Sequence, residues 1–241
     1  MNSRNKMKKL LPIVLCIFMC FSLTGCSKRE TRYKDYVNSL IAINYLGAKE
    51  DYIKATGANQ ADADALYEEN MEHLADNIIS YYGITISDAS DVRDGYIDLA
   101  KNIYSRINYK VDKAKESNGV YTVNVTIYPV NIFMQTKDDV IAYVDHFNKH
   151  ISEGKYNDYT LEQYETEFSE GLLAILNEGC LNMTYADPVT VNVTIIEDDN
   201  KYYISDEDFL AIDAAMIATT VPLDPETTED TTAEDTTAEE Q

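Results

Sequence analysis

Apolar residues recur every three or four positions in three stretches of the first half of the chain, which is the pattern of amphipathic helices. The first stretch covers residues 33–52. The second covers residues 67–82 and is followed by a glycine, a residue that often ends a helix. The third covers residues 92–107 and has Ser87 or Ser90 available as its cap. The pattern therefore predicts three helices before residue 108.

The hydrophobic period changes to two at residues 120–128, where odd-numbered positions are apolar and Thr122, Asn124 and Thr126 are polar. This alternation is typical of a strand with one buried face. Residues 109–115 precede it, and Ser117-Asn118-Gly119 between the two segments favours a tight turn. The region is predicted to form a β-hairpin.

A second alternating segment, residues 189–195, leads through Asp198-Asp199-Asn200 into residues 201–204 and predicts a second hairpin. The two hairpins contain the same hexapeptide, Thr-Val-Asn-Val-Thr-Ile, at Thr122–Ile127 and at Thr190–Ile195. Duplication of an ancestral unit and convergence within the narrow composition of strands are both open explanations. In either case, both hairpins offer the same apolar edge to one sheet.

Three further helix starts carry capping signals. Thr136-x-x-Asp139 and Thr160-x-x-Gln163 each precede an apolar stripe, and Ser205-x-x-Asp208 precedes a short one. Antiparallel hairpins that alternate with blocks of helices predict an α+β fold. We expect an antiparallel sheet built from two β-hairpins and packed against several helices, similar in layout to nuclear-transport-factor-like or cystatin-like folds.

The first residues resemble a bacterial lipoprotein signal. A basic start precedes an apolar run from Leu10 to Leu23, which is shorter than the ~20 apolar residues of a membrane span. The run ends in Leu23-Thr24-Gly25-Cys26, an aliphatic residue, small residues and a cysteine, as in a lipobox. The resemblance implies cleavage before Cys26 and attachment of diacylglycerol to the Cys26 sulfur. A plain secretory signal, or an uncleaved anchor with a chance cysteine, is the alternative.

This interpretation divides the chain into four parts. Residues 1–25 are the signal peptide, and residues 26–32 are a short lipid-anchored tether. Residues 33–220 form a single α+β domain. Residues 221–241 are rich in Thr and acidic residues and lack aromatic and basic residues, so we expect a disordered acidic tail.

The charge balance excludes one class of partner. The 241 residues contain 20 Lys and Arg against 42 Asp and Glu, a formal net charge of −22. Nucleic acid is therefore not expected as a partner, because phosphate binding needs a cationic surface. Two of the four cysteines, Cys16 and Cys20, lie in the signal, and Cys26 is the lipidation site. Cys180 is then the remaining thiol, and we expect it to be buried and inert.

Candidate metal ligands are few. His146 and His150 are four residues apart, so they share one helix face, and Asp139 and Glu153 could add oxygen ligands. The residues between the two histidines include no Glu, which a zinc hydrolase would use as its base. His73 stands alone on a polar face. We therefore expect solvated histidines and no metal site.

No catalytic residue is predicted. The chain has neither a Gly-x-Ser-x-Gly nucleophile motif nor a glycine-rich phosphate loop. Its acidic groups fit caps and turns, where anions complement helix dipoles. They are Asp62/Asp64, Glu68/Glu69, Asp138/Asp139, Asp198/Asp199 and Asp206/Glu207/Asp208.

The layout as a whole resembles uncharacterised lipoproteins of Gram-positive Firmicutes, with Leu23–Cys26 as the specific motif. That resemblance implies a protein anchored at the extracellular face of the cell membrane and brings no known activity. We expect a non-catalytic binding or structural module without a cofactor. Its partners are the membrane, through the lipid, and an envelope protein, peptide or glycan. An envelope hydrolase of unrecognised type, or a small-ligand carrier, is the alternative.

Overall fold

The computed structural model describes residues 17–18, 26–86, 91–198 and 201–219. Its helices are α1 (Cys26–Leu46), α2 (Lys49–Thr56), α3 (Gln60–Tyr81), α4 (Asp91–Tyr104), α5 (Ile132–Gln135), α6 (Lys137–Ser152), α7 (Leu161–Gly179) and α8 (Asp206–Met216). Its strands are β1 (Ile17–Phe18), β2 (Asn108–Val111), β3 (Lys115–Ser117), β4 (Val120–Tyr128), β5 (Val189–Asp198) and β6 (Lys201–Tyr203). The predicted α+β class is confirmed.

The sheet is antiparallel and centred on β4. Its strand order is β1-β6-β5-β4-β2, and β3 pairs with the other half of β4. Asn118 and Gly119 link β3 to β4 with φ of 54° and 81°, the left-handed conformation that Asn and Gly accept most readily. Both predicted hairpins are confirmed, the first with an interruption between β2 and β3. Residues 199–200 of the second turn lie outside the described residues.

The two copies of the hexapeptide lie on neighbouring strands and pair with each other. Thr122 is opposite Thr194, Asn124 is opposite Asn192, and Thr126 is opposite Thr190. The intervening valines are likewise matched, because Thr-Val-Asn-Val-Thr reads the same in both directions and the strands are antiparallel. Each of the five residues of Thr-Val-Asn-Val-Thr therefore faces a residue of its own type, whereas the flanking pairs are Tyr121 with Ile195 and Ile127 with Val189.

The core lies on one face of this sheet. Odd-numbered side chains such as Val123, Val125 and Val193 are buried, and the even-numbered side chains between them are partly or fully exposed. Helices α1 and α8 contact the sheet, α3 and α4 pack beyond α1, α7 packs on α4, and α6 packs on α7. Large side chains contributed to the core by the helices are Tyr36, Ile41, Tyr45, Met71, Leu74, Tyr96, Leu99 and Ile103.

The helix ends confirm two of the three capping signals. The Thr160 hydroxyl accepts from the Gln163 amide N–H, and the Gln163 side chain accepts from the Thr160 amide N–H, which completes a capping box. Ser205 caps α8 by accepting from the Asp208 amide N–H. At Thr136 the predicted helix start is confirmed, because α6 begins at the next residue, but the Thr136 side chain makes no capping hydrogen bond. Helix α5 ends directly before it, and the Thr136 hydroxyl donates instead to the carbonyl of Ile132 at 2.9 Å.

Two boundaries near the N-terminal end differ from those expected. The stripe predicted over residues 33–52 is divided between α1 and α2, because Gly47 has a φ of 65°. The segment expected to be a tether, residues 26–32, forms the first turns of α1.

Other predicted features are only partly described. Within residues 1–25, Ile17–Phe18 form a short edge strand on β6. The candidate caps Ser87 and Ser90 and the tail at 221–241 lie outside the described residues. No helix in the described ranges combines the length and apolar character needed to cross a membrane.

Candidate functional site

A cleft of about 700 Å³ lies where α1 and α2 meet the end of the sheet. One side is formed by a single face of α1, since its lining positions on this helix recur three or four residues apart. Helix α2 forms the other side, and Tyr202 of β6 closes the end. We call this feature the α1–α2 cleft, and it is lined by Lys28, Thr31, Arg32, Asp35, Tyr36, Asn38, Asp51, Lys54, Ala55 and Tyr202.

The floor of the cleft is aromatic. Tyr36 is 1% exposed, and its ring meets the Tyr202 ring edge to face at 4.9 Å between centroids. Tyr33 contacts the other side of Tyr202 at 5.1 Å. Burial raises the pKa of Tyr202, an effect that Arg32 opposes and Asp35 reinforces. The floor of the cleft is therefore buried, aromatic and uncharged.

The rim carries both signs of charge. Lys28 and Arg32 from α1 and Lys54 from α2 contribute cations, and Asp35 and Asp51 contribute anions. The cleft is thus more cationic than the chain as a whole, whose net charge is −22. Such a rim suits a ligand that itself carries both signs of charge, since each end finds a partner.

The cleft begins close to the predicted lipidation site. Cys26 is the first residue of α1, and Lys28 and Asn38 mark the first and last α1 residues of the lining. At a rise of ~1.5 Å per residue, the lining starts about 3 Å and ends about 18 Å along the helix axis from Cys26. The cleft and the predicted anchor therefore share one helix.

Polar contacts fix α1 on the sheet beside the cleft. The Tyr33 hydroxyl donates to the Glu197 carboxylate of β5. Burial and this hydrogen bond raise the pKa of Tyr33. A hydrogen bond with Tyr121 of β4 raises the pKa of Arg29. The wall formed by α1 is thus tied to both central strands.

A partly buried carboxylate lies elsewhere, between the helical layer and α8. The Tyr45 hydroxyl donates to Asp213 Oδ1 at 3.0 Å, and the Tyr104 ring lies 5.4 Å from the Tyr45 ring. Burial raises the pKa of Asp213, whereas the hydrogen bond from Tyr45 and the charge of His73 favour its ionised form. His73, predicted to stand alone on a polar face, is exposed on α3 and acts electrostatically on Asp213 of α8.

The predicted histidine pair is adjacent in space. The rings of His146 and His150 lie 4.1 Å apart on α6, next to an aromatic cluster around Phe147. Glu153, one of the possible oxygen ligands, lies 3.8 Å from Lys149 instead. In the described ranges, no group of three or more His, Cys, Asp or Glu side chains is placed to hold a metal ion.

The remaining candidates occupy structural positions. Cys180 is fully buried, and burial raises the pKa of its thiol. The Arg106 guanidinium, distant in sequence, donates to the Cys180 carbonyl. Of the acidic groups, Asp62, Asp138 and the 206–208 cluster lie in the first turns of helices. Asp64 pairs with Lys49, and Glu68 pairs with Lys101 at 2.8 Å.

Sequence reasoning missed the cleft, although part of its signal was present. Lys28, Arg32 and Asp35 follow the spacing of one helix face. The sequence pattern divides them between the predicted tether at 26–32 and the helix predicted beyond it, and this division hides their common face. Tyr202, which closes the cleft, lies far away in sequence and has no local signal.

Comparisons with known proteins found a solved structure with a similar fold. No protein-family model and no curated protein sequence matches the chain. The fold is similar to the crystal structure of ycdA, a candidate lipoprotein from Bacillus subtilis, with a TM-score of 0.54 and 20% sequence identity over 78% of this chain. The chain spans 58% of the length of that structure. At this identity the similarity concerns the fold, which this chain shares with a candidate lipoprotein.

Proposed function

We propose that this chain is an envelope lipoprotein, held at the extracellular face of the cell membrane by a lipid on Cys26, that binds a partner in the α1–α2 cleft. The observation that carries the proposal is the position of Cys26 at the start of the helix that lines the cleft. A lipid there would hold the cleft within ~20 Å of the bilayer. The cleft would then meet molecules at the membrane surface.

The cleft supports binding rather than catalysis. Its volume of about 700 Å³ lies within the ~300–1,000 Å³ typical of pockets for small molecules or short segments. The rim offers ion pairing to groups of both signs, and the floor offers aromatic rings. We propose a short peptide segment of an envelope protein as the occupant, because a peptide can carry side chains of both charges together with apolar side chains that pack on the aromatic floor. No cofactor is required.

A hydrolase is the second candidate, and Asp213 is the observation in its favour. A carboxylate with a raised pKa beside a histidine is a feature of many catalytic sites. However, Asp213 is not among the residues that line the cleft. Its hydrogen bond from Tyr45 places it between the helical layer and α8.

The anchor is tested by replacing its sulfur. Cys26→Ala should abolish incorporation of labelled palmitate and move the chain out of the processed membrane fraction, because acyl chains supply the attachment. Cys180→Ala is the matched control and should be labelled and fractionate like the unmodified chain. Normal processing and membrane retention of Cys26→Ala would refute the anchor.

The cleft is tested by crosslinking in intact cells. A photoreactive amino acid at Ala55, which lines the cleft, should capture a discrete partner, whereas one at the exposed Ala142 of α6 should not. Arg32→Ser combined with Lys54→Ser should reduce capture at position 55. Equal capture at both positions, unaffected by these changes, would contradict the assignment of the cleft.

The absence of catalysis is tested separately. The purified full chain should form no product from peptides, peptidoglycan fragments or generic esters. Product formation that Asp213→Asn abolishes would replace the binding proposal with the hydrolase.

A further inference from the structure

The second face of the sheet carries a flat strip of uncharged polar side chains. Three cross-strand pairs form it, one pair after another along β4 and β5. None of the six side chains is buried, and those of Thr190 and Asn192 are exposed. We call this surface the Thr–Asn strip, and it consists of Thr122, Thr194, Asn124, Asn192, Thr126 and Thr190.

The strip has unused hydrogen-bonding capacity. Within the described part of the chain, the six side chains make no hydrogen bond, although the backbone of Thr194 donates to Asp208. Each threonine hydroxyl can donate and accept, and each asparagine amide offers two donors and an acceptor. The strip therefore presents a regular array of donors and acceptors to solvent.

The residue choice is poor for strand stability. Asn is depleted from strands, yet two Asn residues lie opposite each other at the centre of the sheet, Asn124 and Asn192. Threonine at both places would favour the strand conformation and keep the surface polar. Asn at these two positions therefore favours the strand conformation less than Thr would, but it places two amide groups on the surface.

Tyrosine side chains stand beyond both ends of the strip. Tyr128 is two residues past Thr126 on β4, and Tyr203 lies opposite Ile196, which is two residues past Thr194 on β5. The side chains of Tyr128, Tyr203 and the six residues of the strip therefore lie on one side of the sheet, because side chains alternate along a strand and cross-strand partners share a face. The three polar pairs cover about 14 Å, and the tyrosines are about 27 Å apart along the strands.

The chemistry of the strip selects among partners. It has no cation for a phosphate and no large apolar side chain for a hydrophobic interface core. Of the charged neighbours on this face, Lys110 is paired with Asp112 at 2.7 Å, Lys201 lies opposite Asp198, and Lys115 lies opposite Thr122. The surface beside the strip therefore carries about one net positive charge and stays close to neutral. A neutral polyhydroxylated chain can use the hydroxyls and amides directly and can stack its sugar rings on tyrosine.

We infer that the Thr–Asn strip binds a linear, uncharged glycan, which lies along β4 and β5 with Tyr128 and Tyr203 at its ends. The strip is on the sheet face opposite Tyr202 and the α1–α2 cleft, so the inference stands whether or not the cleft binds a peptide.

The test measures binding of two uncharged hexasaccharides, chitohexaose and maltohexaose, to the full chain by isothermal titration calorimetry. We expect saturable binding of at least one of them. Asn124→Thr combined with Asn192→Thr should weaken that binding at least tenfold. The melting temperature should be unchanged or higher, because Thr favours strands more than Asn does.

Two further variants keep the test decisive. Asn192→Thr alone changes an exposed position and should weaken binding at least threefold even if the double variant folds poorly. Asn182→Thr changes an exposed asparagine away from the sheet and should bind like the unmodified chain. The inference fails if neither hexasaccharide binds at millimolar concentration, or if Asn192→Thr binds within twofold of the unmodified chain. It also fails if sedimentation shows a dimer that the double variant abolishes, because a second copy would then cover the strip.

Discussion

Removal of the Tyr45 hydroxyl isolates the hydrogen bond to Asp213. Tyr45 is 1% exposed and donates to the carboxylate at 3.0 Å. In Tyr45→Phe the ring is retained, so the aromatic packing changes little and the carboxylate loses its donor. Tyr52 is the matched control: it is equally buried at 1% exposure, and its hydroxyl has no hydrogen-bond partner among the described residues. Tyr52→Phe should leave stability unchanged or raise it.

The magnitude depends on the charge of Asp213. A hydrogen bond to a charged group contributes about 1.5–3 kcal/mol, and one between neutral groups about 0.5–1.5 kcal/mol. Burial raises the pKa of Asp213. The contribution of Asp213 to the free energy of unfolding is therefore largest at low pH and decreases as the pH rises through this raised pKa. Loss of the Tyr45 donor raises this pKa further. The destabilisation by Tyr45→Phe should therefore be larger at pH 8 than at pH 5.

The assay is urea unfolding of both variants at several pH values from 5 to 8, followed by circular dichroism. At pH 8 the free energy of unfolding of Tyr45→Phe should fall by about 1.5–3 kcal/mol, which corresponds to about 3–12 °C in melting temperature for a domain of this size. His73 and Tyr104 also interact electrostatically with Asp213. The variant His73→Ala is therefore measured in parallel, so that the contribution of His73 to the pH dependence can be subtracted. A loss below about 0.5 kcal/mol at every pH, or an equal loss in Tyr52→Phe, would refute the reasoning.

Three other changes have defined outcomes. Gly171→Ala would place its methyl group 2.2 Å from the Tyr143 hydroxyl oxygen, so we expect the free energy of unfolding to fall by about 1–3 kcal/mol in chemical denaturation. The methyl group of Gly57→Ala would meet no atom within 4 Å, so this variant should lose stability only because of the φ of 74° at that position. Truncation after Ala218 should change the melting temperature by less than a few degrees in a thermal scan, because the backbone hydrogen bond from Ala218 to Val130 is kept, and a larger drop would show that the tail packs on the fold. Cys180 should react with a thiol reagent only at the unfolding rate, since it is fully buried with a raised pKa, and fast labelling of the native chain would contradict this.

The strands and their turns could be predicted because their signals are local. Alternation at residues 120–128 and the Asn118-Gly119 turn need no information from elsewhere in the chain. Helix boundaries are harder to predict where two local signals compete. The apolar stripe continues across Gly47, so periodicity alone did not reveal the break there. Thr136 matches a capping signal but follows another helix, α5, and its hydroxyl donates to the carbonyl of Ile132, the first residue of that helix.

The candidate site could not be predicted from the sequence, because its residues come together only in the folded chain. Tyr45 and Asp213 are 168 residues apart, and their contact depends on how α8 returns to the helical layer. His73 appears isolated on its own helix because its charged neighbour lies on α8. The cleft likewise needs β6 to close it, through Tyr202. Such groupings arise from packing, which a single sequence pattern does not encode.

The matched register of β4 and β5 has a consequence for folding. Because Thr-Val-Asn-Val-Thr is a palindrome, an antiparallel pair made from two copies of β4 would repeat the five like-with-like pairs of the native sheet. Concentrated refolding should therefore yield strand-exchanged species, since these five positions do not distinguish the native partner strand from a second copy of β4. A charge pair across one position, Thr126→Glu with Thr190→Lys, would give each strand its own identity and suppress those species.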